Sequence, residues 1–173
     1  MAIDAEGMLY VIKEHCEAGL TLSEAAGRIA GLCGGYRIEY AVASPDLWNR
    51  RQDSGKSGFE IMQNVYGMPP MIRADNRRIA GWRVLHEYLE CKNSPPKLNI
   101  CCNCTELIHS ISALLCDPDR AEDASDEPHS ITHAPEALRY AVMSRSFFDE
   151  GSLCSDFDIF PHKRHQGTSF LYG

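Results

Sequence analysis

The sequence predicts a mixed α/β fold, a β-sheet with helices on both faces. Three observations carry this. Short apolar runs bounded by turn residues alternate with stretches whose apolar positions recur at helical spacing. The chain opens on two such runs joined by Asp4-Ala5-Glu6-Gly7, a hairpin signal in which Gly supplies a positive φ. The 173 residues, 44% hydrophobic and 24% charged, suffice for one domain with a buried core.

Each element has a local reason. Residues 2–4 and 8–15 read as the two strands of the opening hairpin, the second covered on both faces because apolar side chains occupy both of its parities. A helix is predicted over 22–33. Thr21 and Glu24 form a capping box, and Gly34-Gly35 ends the helix. Leu22, Ala25, Ala26, Ile29 and Leu32 make its apolar face. Residues 37–43 form the next strand, expected in the interior of the sheet. Residues 44–58 read as a loop with a short helical turn near Trp48, and 59–65 as a short helix ended by Gly67 and Pro69-Pro70.

A brief strand at 71–74 leads into a second long helix at 77–91, with Ile79, Trp82, Val84, Leu85 and Leu89 on its buried side. A strand at 98–101 and a helix at 105–115 follow. Residues 117–128, rich in Asp, Glu and Pro, read as a solvated acidic loop in which Asp123 and Asp126 serve as loop charge, with one of them able to reach a metal. The last predicted helix spans 133–145. Beyond residue 146 the apolar pattern dissolves, and 146–173 is expected to be a poorly ordered tail behind a domain of residues 1–145.

Composition narrows the function classes. The net charge of −7 and pI near 5.4 argue against a simple phosphate-neutralising DNA-binding module. They leave room for a site that concentrates carboxylates around cations. No apolar run approaches the roughly 20 residues of a membrane helix, and no secretory leader is visible, so no membrane contact and a cytoplasmic location are expected. The eight cysteines should then be mostly free thiols.

Two motifs fail on spacing. Asp53-Ser54-Gly55-Lys56-Ser57 resembles the end of a phosphate-binding loop, but Arg50 stands where its first Gly belongs. The Lys-bearing loop reads better as one that brushes a DNA backbone. Cys101 and Cys104 make Cys-x-x-Cys without a second pair at zinc spacing. Their place before a helix would lower a thiol pKa, although buried strand-end cysteines are the simpler reading.

Three segments carry a family likeness. They are Cys16 through Ala26; Ala43-Ser44-Pro45-Asp46-Leu47-Trp48 with Ala74-Asp75-Asn76-Arg77-Arg78-Ile79-Ala80-Gly81-Trp82; and Thr132-His133-Ala134-Pro135-Glu136-Ala137-Leu138-Arg139-Tyr140. In this order they resemble the nuclease half of phage terminase large subunits, over about residues 1–145. The last is the most specific, the family's usual form being His-x-x-Asp-Ala-Leu-Arg-Tyr.

The resemblance implies a ribonuclease H-like fold and a metal-dependent endonuclease that cuts concatemeric viral DNA, with two Mg²⁺ or Mn²⁺ ions held by three carboxylates. It implies double-stranded viral DNA and a terminase ATPase domain as partners, with the portal and the small terminase subunit beyond them. Asp46 and Glu136 fall on two of the family's acid positions, as catalytic residues and metal ligands. His133, one turn before Glu136, is the third catalytic candidate, to orient a ligand or water or to shuttle a proton. The sequence departs from the family in three respects. Glu136 replaces the usual Asp. Asp46 follows Ser44-Pro45 instead of standing nearer the strand. The family's first acid belongs on an opening strand that should precede Met1, so that strand and its ligand are expected to be missing. Each residue also has a plainer reading: Asp46 as a solvated loop acid, Glu136 as a first-turn acid favoured by the helix dipole, and His133 as an ordinary residue of the helix start. The alternative at the level of the protein is a non-catalytic prophage remnant that keeps the fold as a docking module.

Overall fold

The computed structural model describes residues 1–149 apart from 53, 93 and 94, with the side chains of 146–149 also left out. The expected tail lies almost wholly outside the described residues. Strand β1 (Ala2–Ile3) pairs antiparallel with β2 (Leu9–Val11) through the turn foreseen at Asp4. There the Asp4 carboxylate accepts from the amides of Glu6 (3.1 Å) and Met8 (2.8 Å), and Gly7 has φ 84°. Helix α1 (Leu22–Cys33) follows, with its capping box formed on both sides.

Strand β3 (Ala41–Ala43) ends in a 3-10 turn, Pro45–Trp48, and helix α2 (Gly58–Gln63) begins at a second capping box, between Ser57 and Glu60. Strand β4 (Met71–Arg73), helix α3 (Arg78–Leu89), strand β5 (Leu98–Ile100) and helix α4 (Thr105–Ala113) come next. A 3-10 turn at His129–Ile131 leads into helix α5 (His133–Asp149). This last helix runs past residue 145, where the tail was expected to begin.

Among the described residues the fold is mixed α/β, with small sheets and five α-helices, and its strand pairing corrects one expectation. The strands form two sheets: β1-β2-β5, with β2 and β5 parallel, and a separate parallel pair, β3-β4. The strand expected over 37–43 shrinks to three residues, and β3 is bonded on one side only instead of lying in the interior of a sheet. Apolar alternation marks a strand, but the pairing partners are set by chain segments far away in sequence.

The core lies where β2 and β5 meet α3, α4 and α5. Leu9, Val11, Leu85, Leu98, Cys104, Leu107, Leu138 and Val142 are buried there. The turn before α4 is tied down from a distance: the Glu14 carboxylate accepts from the amides of Glu106 (2.9 Å) and Leu107 (2.8 Å), supplying the cap that the helix itself lacks. Helix α1 packs against α2 outside this core, with Ala26 its one buried residue, while Ile29 and Leu32 border an open groove described below.

Candidate functional site

Helix α5 starts beside α3, and the acid of its first turn meets the arginines of both helices. Glu136 Oε2 accepts from Arg139 Nη2 (2.5 Å) and Nε (2.8 Å), one turn ahead on the same helix. Glu136 Oε1 faces Arg78 Nη1 at 2.6 Å, a contact of charge and not an aligned hydrogen bond. Arg78 also reaches Asp123 (Nε to Oδ1, 2.6 Å), Asp126 (2.8 Å) and the carbonyl of Ala124 (2.9 Å). Trp82 Nε1 donates to the same Asp123 oxygen at 3.1 Å. Two cations thus meet three anions, Asp123, Asp126 and Glu136.

Arg139 is 1% exposed, its guanidinium over the rings of Tyr140 (4.5 Å) and Trp82 (5.6 Å). A bare Gly81 makes that position available, because a Cβ there would come within 2.8 Å of Arg139 Cγ. Asp123 is held below the usual carboxylate range: burial pushes it up, but Arg78, the Ala124 amide and Trp82 outweigh that. The same carboxylates outweigh burial at Arg78 and raise its pKa. Asp75, just past β4, is lowered chiefly by its hydrogen bonds from Arg77, against an opposing burial effect.

The acids and the histidine predicted from sequence are placed differently from one another. Asp46 sits exposed in the 3-10 turn after β3, where Ser44 Oγ donates to it at 3.4 Å. Glu136 lies half-buried in the arginine cluster. Among the described residues no hydrogen bond or ion pair joins the two. His133 is exposed at the start of α5, its ring stacked on His129 at 5.6 Å. Asp123, expected to serve as loop charge, instead pins the acidic loop to α3. Arg78 organises the cluster and was missed. Nothing local could have marked it, since its partners are 45 to 58 residues away in sequence.

The candidate acids do not fit a two-cation centre in this arrangement. Among the described residues no group of three or more His, Cys, Asp or Glu side chains is placed to hold a metal ion. Both oxygens of Glu136 face guanidinium groups at 2.5 to 2.8 Å, so an arriving cation would meet two positive charges first.

What surrounds Asp46 is of another kind. Trp48 stacks on Phe59 (4.9 Å) with Arg73 over its ring (5.3 Å). The loop beyond carries exposed Arg50, Arg51 and Lys56, folded back by the bridge between Arg50 and Ser57. Cys104 is fully buried at the start of α4, and its thiol donates to the Val11 carbonyl at 3.5 Å. Burial, then the Glu14 carboxylate, raises its pKa, opposite to the lowering expected before a helix. No helix among the described residues is long and apolar enough to cross a membrane. Comparison of the chain with protein-family models, curated proteins and solved structures gives no match.

Proposed function

We propose that this chain is the nuclease domain of a viral DNA-packaging terminase large subunit, with its acids not assembled for cleavage. The observation that carries the reading is the neighbourhood of Asp46. In a chain of net charge −7, an exposed strand-end carboxylate is followed at once by a loop that turns Arg50, Arg51 and Lys56 outward. Cations gathered at one place on an acidic surface suit a phosphodiester backbone. The order of elements along the chain supports the reading, a hairpin, a helix, a strand shortly before one acid and a late helix bearing another, while the strands lie in two sheets instead of the single sheet of a ribonuclease H-like fold. On this reading the partner is double-stranded viral DNA, and a terminase ATPase domain, the portal and the small terminase subunit belong to the same machine.

The residues divide the work. Arg50, Arg51 and Lys56 hold phosphate. Asp46 is the acid open to the site. Glu136, neutralised by Arg78 and Arg139, becomes available only if that clamp opens, and Mg²⁺ or Mn²⁺ would be the cation such a centre takes. His133 stands one turn before Glu136 and is free to handle a proton. The clamp itself favours a second reading, a non-catalytic prophage remnant that keeps the fold for docking.

The test is duplex DNA binding at low salt, with cleavage measured in Mg²⁺ and in Mn²⁺. The chain should bind DNA, cut little or not at all with Mg²⁺, and at most nick weakly with Mn²⁺, the nicking being lost in Asp46→Ala and Glu136→Ala. Absence of DNA binding would sink the reading. Vigorous cleavage untouched by both substitutions would put the catalytic centre elsewhere. Binding with no nicking under either cation is the outcome of the non-catalytic reading.

A further inference from the structure

A cavity of about 540 Å³ separates the two sheets. Residues 1–3 line it from β1, and residues 37–42 line it from β3 and the segment leading into it. Successive residues of an extended chain point to opposite faces, so a cavity that meets every one of them meets the chain edge-on.

The hydrogen-bond parity shows which groups face it. The amide of Ala41 donates to the Pro70 carbonyl (2.7 Å), and the Ala43 carbonyl accepts from Ala74 (2.8 Å). Ala41 and Ala43 therefore serve β4, and the N–H and C=O of Val42, between them, point to the other edge. Leu9 and Val11 likewise serve β5, through Leu9 N to Lys97 O (2.8 Å) and Cys101 N to Val11 O (3.0 Å). Tyr10 is left for Ala2, its partner in register, which turns the N–H and C=O of Ile3 away from β2. Ile3 and Val42 both line the cavity.

Its walls are mixed: exposed apolar side chains stand beside Lys13, Glu14, His15, Arg37 and Glu39. Of the seven exposed large hydrophobic side chains among the described residues, four, Met1, Ile3, Tyr36 and Ile38, border this one cavity. Soluble surfaces seldom concentrate such residues without a partner. Ile29 and Leu32 of α1 and Ala141 of α5 add further apolar surface to it.

We infer that this groove is a strand-docking site: it takes one extended segment of a partner polypeptide, apolar at alternate positions. That segment bonds to Ile3 on one side and Val42 on the other and joins the two sheets in the order β5-β2-β1-partner-β3-β4. A slot between two open edges admits a lone strand. A folded second copy of this chain could cover one edge but not enter between both. The affinity comes from main-chain hydrogen bonds and the specificity from the alternate side chains meeting the groove walls. The inference is independent of the nuclease reading.

The probe is a short labelled peptide of alternating valine and threonine with lysines at its ends, added to the full chain. The control is the same peptide with proline at every second position. Binding is followed by anisotropy, and amide exchange is read at Ile3 and Val42. The alternating peptide should bind and slow exchange at both amides at least tenfold, while the proline peptide does neither.

Val42→Pro removes the groove-facing donor without touching the bonds to β4, and Ile38→Lys charges the rim. Each should weaken binding at least tenfold with the unfolding midpoint unchanged. The inference is overturned by protection at one edge alone, by unaltered affinity in Ile38→Lys, or by Ile3 and Val42 amides already protected in the free chain. That last result would mean the chain's own residues 150–173 or a second copy fill the slot.

Discussion

Arg139 Nη2 lies 2.5 Å from Glu136 Oε2, and Arg139 is 1% exposed, so the acid expected to bind a cation is paired inside the fold with a permanent one. Removing one member of a buried pair leaves the other without its counter-charge. Arg139→Leu should therefore destabilise the chain by about 3 kcal/mol, the lower end for such pairs because Arg78 still faces Glu136. Urea unfolding measures it. A loss within experimental error of zero would mean that the pair contributes nothing to the folded state.

Gly81 offers a sharper probe of the same place. Alanine is the better helix former by about 1 kcal/mol. Its Cβ, however, would meet Arg139 Cγ, Cδ and Nη1 at 2.8 to 2.9 Å, in a position closed by Trp82 and Tyr140. Overpacking of about 2 kcal/mol outweighs the propensity gain. Gly81→Ala should lower stability by about 1 kcal/mol, whereas Gly27→Ala, in α1 with nothing within 4 Å, should raise it. Equal effects from the two substitutions would show that Arg139 moves aside freely.

The cationic loop gives a test in salt. If Arg50, Arg51 and Lys56 each neutralise a phosphate, replacing all three by alanine should weaken duplex binding. It should also flatten the slope of log K against log salt by about 2 to 3, since each contact contributes about 0.9. Titrations at several salt concentrations read both. A weaker affinity with an unchanged slope would place the loop away from the DNA.

Acid should act through Asp75, whose carboxyl is lowered chiefly by its hydrogen bonds from Arg77. A carboxyl whose folded pKa lies below its unfolded value adds stability above the ordinary 3.8 and loses it as pH falls through the folded value. The stability gap between the natural chain and Asp75→Asn should hold near neutral pH and close as pH drops below about 4. It should be at most about 1 kcal/mol, because Arg77 is 70% exposed. A gap that stays constant down to about pH 2 would show that the contact does not depend on the charge.

How legible these features were depends on sequence distance. The capping box of Thr21 and Glu24 was readable because its bonds span three residues. The equivalent box at Ser57 and Glu60 carries the same signal but lies at the end of a polar, Gly-containing stretch whose composition reads as loop. The turn at Asp4, with its left-handed Gly7, was readable for the same local reason. Asp46 and Glu136 were found through segment likeness, which locates an acid on the chain but says nothing of what faces it. The Glu14 cap on α4 joins residues 92 and 93 positions apart and left no trace in composition or periodicity.

The sequence by itself determined where helices start, where the chain turns, and that strands and helices would alternate, because those features rest on bonds within a few residues and on the period of apolar side chains. Only the tertiary structure decided the rest. It split the strands into two sheets, left the open edges of Ile3 and Val42 across one cavity, and closed Arg78 and Arg139 on Glu136 while leaving Asp46 in the open. These depend on which distant segments pack together. The energy of a charge or an unpaired amide is set by its spatial neighbours, and no local pattern encodes them.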